Sequence, residues 1–331
     1  MSSAKEESFK SVIDPVTGEF KRPAAQFRNF ISSKPNAEFP PEKGRYHLYV
    51  SYACPWAHRT LIMRNLKGLE EVIDFTSVHW YMDLGSVSWL FATPDENLPG
   101  ENVVPDPING AQNIKELYFL ANPNYAGRFS VPVLWDKKHK TIVSNESSEI
   151  IRMLNTEFDG LVKEEFRDVN FVPAELREKI NEMNAWIYDD LNNGVYKSGA
   201  AKKQEAYEKA VIAVFESLDR IEAILQSSSG PYLLGSQLTE VDIRLYPTIV
   251  RFDPVYVTLF KTNTKTIRDG YPNTHRWLQH LYWDIPAFKE TTSFEHIKKH
   301  YFTSLTPLNP EGIVPYGPVP NIREKEQLDW A

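Results

Sequence analysis

The chain has a single cysteine, Cys54, among its 331 residues. One cysteine excludes an intramolecular disulfide and a Cys-x-x-Cys redox pair. No stretch approaches the roughly 20 apolar residues of a membrane span. The opening residues also have no apolar core of a secretory signal and are too acidic for a transit peptide. We therefore expect a cytoplasmic protein with no membrane association.

Positive charge is also in short supply. The sequence has 37 Lys and Arg residues against 44 Asp and Glu residues, a net charge of −7. Because a nucleic-acid partner needs a basic surplus to neutralise its phosphates, we expect no such partner. The hydrophobic fraction of 42% is ordinary for a globular protein, and the length allows two domains.

The cysteine lies where a strand pattern meets a helix pattern. Residues 46–52 alternate between two faces, which predicts a strand. Pro55 suits the first position of a helix, and Gly68 suits its end. Cys54 is therefore expected at the helix N-cap, where unpaired N–H groups and the helix dipole favour a thiolate. A lone cysteine is otherwise most often a small buried hydrophobe, so its position alone leaves both interpretations open.

Residues 45–160 follow the order β-α-β-loop-α-β-β-α, which resembles the thioredoxin fold. A second strand is expected near 72–80, and Asn145 or Ser147 is expected to cap the last helix. A proline-rich loop occupies 82–110, and loops of that length inside a compact domain are usually functional.

Helical periodicity replaces this alternation after residue 160. The predicted fold class is thus α/β plus all-α, with a thioredoxin-like domain at 45–160 and a helical bundle at 161–305. The remaining segments are an N-terminal extension at 1–44 and an irregular tail at 306–331.

This layout resembles that of the soluble glutathione transferases, and three local features agree with it. They are Cys54-Pro55-Trp56-Ala57 at the first strand–helix turn, Val131-Pro132 before a later strand, and Glu146-Ser147 at a helix start. Longer segments, among them 186–197, 251–257 and 296–302, are similar to the glutathionyl-hydroquinone reductases, the Xi class of this family. The resemblance covers about residues 40–315.

The resemblance implies that Cys54 is a catalytic nucleophile. Its thiolate would attack the sulfur of a glutathionyl-hydroquinone and form a mixed disulfide, which a second glutathione would resolve. The implied cosubstrate is glutathione, no metal is implied, and the family resemblance implies a homodimer.

The resemblance also implies a set of glutathione-binding residues. Val131 would pair its main chain with the cysteinyl unit, while Glu146 and Ser147 would bind the γ-glutamyl end. Arg128 would pair with the glycine carboxylate. Trp89, in the long loop, would cover the tripeptide, although the family's glycine before that tryptophan is a serine here.

Release of the hydroquinone requires a proton for the ring carbon, and tyrosine hydroxyls suit that task. Tyr196 and Tyr301 match the family's active-site tyrosines, and Tyr188 is a weaker third candidate. The sequence leaves two alternatives open. One is an omega-like thiol transferase or dehydroascorbate reductase that uses the same cysteine, and the other is a non-catalytic ligand-binding protein. The physiological quinone is not identified.

Two histidine patterns are typical of functional sites, but neither is part of the predicted site. His296 and His300 have the i, i+4 spacing of a metal pair, but no glutamate of a zinc-protease motif lies between them. His58 follows the cysteine by one helical turn and resembles a general base. A helix start favours the thiolate without such a base, so His58 is not included in the predicted site.

Overall fold

A four-stranded mixed sheet forms the centre of the region around Cys54. In this computed structural model, which describes residues 13–85 and 88–325, the strand order is β2-β1-β5-β6. Strands β1 and β2 are parallel, and the other two pairings are antiparallel. The strands are β1 (Tyr46–Val50), β2 (Asp74–Ser77), β3 (Met82–Asp83), β4 (Ser88–Trp89), β5 (Val133–Asp136) and β6 (Thr141–Ser144).

Contacts between residues divide the chain into two units. Among the described residues, the sheet unit consists of 23–85, 88–170 and 291–305, and the helical unit consists of 13–22, 171–290 and 306–325. The predicted division instead placed all of 161–305 in one helical domain and residues 1–44 in one extension. As a statement about independent domains, that division stays a prediction.

The sheet unit carries four helices and a further short one from its distant segment. They are α1 (Pro55–Leu66), α2 (Ile114–Ala121), α3 (Ser147–Thr156), α4 (Glu164–Arg167) and α13 (Phe294–Lys299). Gly68, just after α1, has φ +59° and lies against the ring of Phe166. A Cβ there would lie 2.3 Å from that ring, so both the backbone angle and the packing require glycine.

The described part of the N-terminal extension within this unit runs beside β6. Arg28 forms an antiparallel β-bridge with Ser144, and the Asn29 amide donates to the Val143 carbonyl at 3.0 Å. The extension thus covers the edge of β6. Without it, the unpaired backbone groups of this edge strand could pair with another chain.

The long loop is anchored by one buried carboxylate. Asp106 accepts hydrogen bonds from the Tyr49 hydroxyl at 2.7 Å and from the backbone amides of Ile108, Asn109 and Ala111 at 3.0–3.2 Å. A second part of the loop forms the β3–β4 pair, in which Met82 lies opposite Trp89. The loop is therefore ordered by specific contacts despite its lack of periodicity.

Among its described residues, the helical unit contains eight α-helices. They are α5 (Arg177–Trp186), α6 (Gly194–Ala200), α7 (Gln204–Ser227), α8 (Glu240–Arg251), α9 (Val257–Leu259), α10 (Ile267–Gly270), α11 (Pro272–Asp284) and α12 (Pro286–Glu290). Thr239 and Asp242 form a capping box at the start of α8. None of the helices in the described part of the chain is long and apolar enough to cross a membrane.

Several predicted elements are confirmed, and one predicted cap is wrong. The N-cap of α3 is Glu146, whose side chain accepts from the Ser148 amide, and not Asn145 or Ser147. The Asn145 side chain is occupied elsewhere, since its Oδ1 accepts from the Phe27 amide and its Nδ2 donates to the Tyr118 hydroxyl. Those partners are remote in sequence, so the local pattern did not reveal them.

Candidate active site

Cys54 occupies the N-cap of α1, as predicted. Its φ and ψ of −77° and 119° are extended, Pro55 follows at the first helical position, and the Cys54 carbonyl accepts the His58 amide at 3.0 Å. The residue is 8% exposed. The first turn of α1 therefore directs its N–H groups toward the region of the cysteine, where they favour negative charge on sulfur.

The cysteine thiol contacts the strand that begins with the proline motif. Sγ donates to the Val131 carbonyl at 3.5 Å, and the Val131–Pro132 peptide bond is cis. Only the protonated thiol makes this contact, because a thiolate has no hydrogen to donate. Cys54 follows β1 and Val131 precedes β5, the two central strands of the sheet. Val131 is 3% exposed, so its carbonyl and the sulfur are both sheltered from solvent.

Glu146 and Ser147 lie at the start of α3, as predicted. The Glu146 carboxylate accepts from the Ser148 amide at 3.0 Å and from the Ser148 hydroxyl at 2.8 Å, and Ser147 is buried. One turn later, Glu149 accepts from Arg28 Nε at 2.6 Å. This helix start thus offers N–H groups for an anion and a carboxylate for a cation within a few residues.

Arg128 lies in the turn before β5 in the same unit. Its side chain is exposed, and its backbone carbonyl accepts the Tyr125 hydroxyl at 3.0 Å. The turn is fixed by this buried tyrosine.

Trp89 is packed and not a free lid. It is 7% exposed, and its ring stacks on His300 with centroids 4.5 Å apart and planes at 26°. The sequence assigned it to glutathione binding through resemblance. The contact with His300 comes from a segment so distant in sequence that no local pattern indicated it.

Tyr301 belongs to the sheet unit, as does Cys54. It lies in a π-helical turn at His300–Ser304 that continues α13, and it is 2% exposed. Such π-helical turns occur frequently at functional sites. The His300 ring meets the Tyr301 ring edge-on at 5.2 Å.

Tyr196 and Tyr188 belong to the helical unit. Tyr196, on α6, is half-buried and packs against Phe260 at 5.2 Å and Phe20 at 6.5 Å between ring centroids. The Arg22 guanidinium lies 5.2 Å from the Tyr196 centroid. Tyr188 lies in a second π-helical turn, Ile187–Asn192. The two predicted tyrosines of the site, Tyr196 and Tyr301, therefore come from different units.

The histidines that the sequence analysis set aside have structural partners. His58 Nε2 lies 3.0 Å from the Thr291 hydroxyl, His296 Nε2 lies 2.7 Å from the Pro99 carbonyl, and His300 Nδ1 lies 2.9 Å from the Trp80 carbonyl. Burial lowers the pKa of His296. A ring nitrogen that donates to a carbonyl is not available as a metal ligand. Residues 13–85 and 88–325 contain no cluster of three or more histidine, cysteine or acidic side chains that could hold a metal ion.

Two family models match the chain. The model described as the N-terminal domain of glutathione S-transferase matches residues 53–157, and the model of the C-terminal domain matches residues 204–280. The first match spans Cys54, Val131 and Glu146, and the second spans most of α7 and α8.

Curated and solved proteins resemble the chain over nearly its whole length. Glutathione S-transferase omega-like 2 of Schizosaccharomyces pombe is 55% identical, covering 92% of this chain and 95% of that protein. Glutathionyl-hydroquinone reductase YqjG of Escherichia coli is 49% identical, covering 94% and 93% respectively. Its glutathione-bound structure gives a TM-score of 0.81 over 88% of this chain and 92% of that one. The glutathione S-transferase Xi of Phanerochaete chrysosporium gives a TM-score of 0.88 at 59% identity, covering 93% and 96%.

Proposed function

The chain belongs to the glutathione S-transferase family, in its Xi class, and on this premise we propose that it is a glutathionyl-hydroquinone reductase. The proposed substrate is a hydroquinone that carries glutathione through a thioether, and the proposed second substrate is glutathione. The observation that carries the proposal is the placement of Cys54 at the start of α1, 3.5 Å from the carbonyl before the cis-proline.

The first chemical step transfers the glutathionyl group to the enzyme. Once the thiol has lost its proton and its contact with Val131, the thiolate attacks the glutathionyl sulfur. A sulfur–sulfur bond forms, the carbon–sulfur bond breaks, and its electron pair goes to the ring carbon, which takes up a proton. The products are the free hydroquinone and a Cys54–glutathione mixed disulfide.

The second step restores the enzyme. The thiolate of a second glutathione attacks the glutathionyl sulfur of the mixed disulfide, and Cys54 leaves as a thiolate. Glutathione is thereby oxidised to its disulfide while the aromatic carbon is reduced. The reaction needs one protein cysteine, because glutathione itself supplies the resolving thiol.

We propose Tyr301 and Tyr196 as the candidates for donating the one proton that the ring carbon takes up, with Tyr301 as the leading candidate. Tyr301 is supported by its place in the sheet unit, together with Cys54, and by the π-helical turn that carries it. Tyr196 is supported by the resemblance and by its aromatic packing with Phe260. Tyr188 stays a weaker candidate.

The glutathione-binding residues also remain a proposal. The Val131 main chain would bind the cysteinyl unit, and the α3 N-terminus with Glu146 and Ser147 would bind the γ-glutamyl end. Arg128 would bind the glycine carboxylate, which its exposure permits. The Glu146 contacts with Ser148 show that this carboxylate is already held in a fixed place.

The direct test is chromatography of a glutathionyl-hydroquinone incubated with excess glutathione and the protein, beside Cys54→Ser. We expect hydroquinone and oxidised glutathione in equal amounts, and release reduced at least about 1000-fold in the variant, because a serine hydroxyl cannot form the mixed disulfide. Mass spectrometry should detect the mixed disulfide when the second glutathione is withheld. Release that persists in Cys54→Ser would refute the mechanism.

The same experiment separates the alternative functions. If no hydroquinone is released but Cys54 exchanges with a small disulfide, the protein is an omega-like thiol transferase or dehydroascorbate reductase. If neither reaction occurs while glutathione still binds, the protein is a ligand-binding member of the family.

We further propose that the protein is a homodimer, as the resemblance implies, and that it is cytoplasmic. Light scattering of the purified protein would test the assembly, with a mass of about 76 kDa expected for two chains of 38.2 kDa. A mass of one chain across the working concentration range would reject the dimer.

A further inference from the structure

Trp89, His300 and Tyr301 form a continuous row of packed rings within the sheet unit. Trp89 stacks on His300 at 4.5 Å, and His300 meets Tyr301 at 5.2 Å. All three side chains are buried. The proposed proton donor therefore rests, through one ring, against a tryptophan of the long loop.

The middle ring of this row is fixed in orientation. His300 Nδ1 donates to the Trp80 carbonyl at 2.9 Å, because a carbonyl can only accept. The hydrogen bond to Trp80 thus fixes the position of the ring edge, and the stack on Trp89 fixes the plane of the ring. Rotation of His300 would break this hydrogen bond and leave a buried N–H group without an acceptor, which costs free energy.

Further contacts bind the loop and the distant segment into one body. The Met82 amide donates to the Ser304 hydroxyl at 3.0 Å, and the His296 ring donates to the Pro99 carbonyl at 2.7 Å. At its start, the segment is held to α1 by the contact between His58 and Thr291. The helix that begins at Cys54 and the turn that carries Tyr301 are therefore linked through the same segment.

We propose that Trp89 is a positioning residue for Tyr301, acting through the stack on His300. This inference rests on the proposed function, and it gives Trp89 a role different from covering glutathione. A buried ring of 7% exposure has most of its surface committed to protein contacts. Its loss would release His300 and let the Tyr301 hydroxyl leave the geometry needed for proton transfer.

The test compares Trp89→Ala and Trp89→Phe in two assays on the same preparations. Hydroquinone release requires the proton donor, whereas exchange of Cys54 with a small glutathione disulfide does not. We expect Trp89→Ala to lower kcat for hydroquinone release about tenfold. Exchange uses the same glutathione site but not the proton donor, so it should fall less than release does, and Trp89→Phe should retain most of the release because it preserves a ring for the stack.

A double-mutant cycle with Tyr301→Phe isolates the coupling. If Trp89 acts through Tyr301, adding Trp89→Ala to Tyr301→Phe should slow release by less than about a further twofold. The matched control is Trp80→Ala. Its ring lies on Lys299 and His296, and the substitution keeps the carbonyl that His300 uses. This control should leave release within about twofold of the parent.

Several results would overturn the inference. A raised KM for glutathione with unchanged kcat would make Trp89 a binding residue. Equal losses of release and exchange would show general damage near Cys54, and full additivity with Tyr301→Phe would show independent roles. Failure of the proposed function is distinct, since the unmodified protein would then release no hydroquinone at all.

Discussion

The sheet unit holds its candidate residues in two different ways. Cys54 and Glu146 are helix N-caps, and Val131 precedes the cis-proline before β5, so local backbone geometry sets their positions. Trp89 and Tyr301 lie on a two-residue strand and a π-helical turn, which side chains hold across long separations. The His300 contact with Trp80 alone joins residues 220 positions apart.

This difference parallels the two halves of the proposed reaction. In the proposed reaction, glutathione recognition would depend on main-chain groups and a helix start, which local sequence patterns specify. Proton delivery would depend on the loop and the distant segment remaining packed together. Substitutions in the second region should therefore damage hydroquinone release selectively, while substitutions in the first should affect both thiol reactions.

The largest effect is expected at Tyr301. Tyr301→Phe removes the hydroxyl and leaves the ring, so hydroquinone release should fall about 100-fold, as for loss of a general acid. Exchange of Cys54 with a small disulfide should be unchanged. Stopped-flow measurement of both reactions tests this, with Tyr196→Phe as the matched variant in the helical unit. A release rate within threefold of the parent would remove Tyr301 from the mechanism.

An intermediate effect is expected at the anchor of the long loop. Asp106→Ala removes one acceptor that serves four donors, including the Tyr49 hydroxyl and the Ala111 amide. We expect the free energy of unfolding to fall by about 2 kcal/mol, since buried donors lose their partner. Chemical denaturation measures this loss.

The control for the anchor is Asp95→Ala, at an exposed position of the same loop. It should change the free energy of unfolding by less than about 0.5 kcal/mol. Equal stabilities for the two variants would show that the loop does not depend on Asp106 for its order.

The smallest effect is expected at the exposed cation of the glutathione half. Arg128→Met should raise KM for glutathione about fivefold without changing kcat, because a solvent-exposed charge pair contributes little to binding. Steady-state kinetics at several ionic strengths should show the parent KM rising with salt while the variant stays flat. Lys138→Met serves as the control, since that exposed lysine pairs with Glu42.

Sequence patterns predicted the elements around Cys54 well because their signals are local. Pro55 after Cys54 indicated the helix start, and Val131-Pro132 before an apolar run indicated a strand; the structure confirms both. The cap of α3 was wrong for the opposite reason. Asn145 is a good capping residue in isolation, but the extension at Phe27 and the hydroxyl of Tyr118 engage its side chain.

The sequence by itself determined the position of Cys54 at a helix start, the order of the elements and the family resemblance, since these follow from residue type and short spacing. Only the tertiary structure decided that residues 291–305 group with the sheet unit, that His58 and His300 contact Thr291 and the Trp80 carbonyl, and that Trp89 stacks on His300. The physical reason is that packing joins surfaces by shape and apolar area, which periodicity within one segment does not encode.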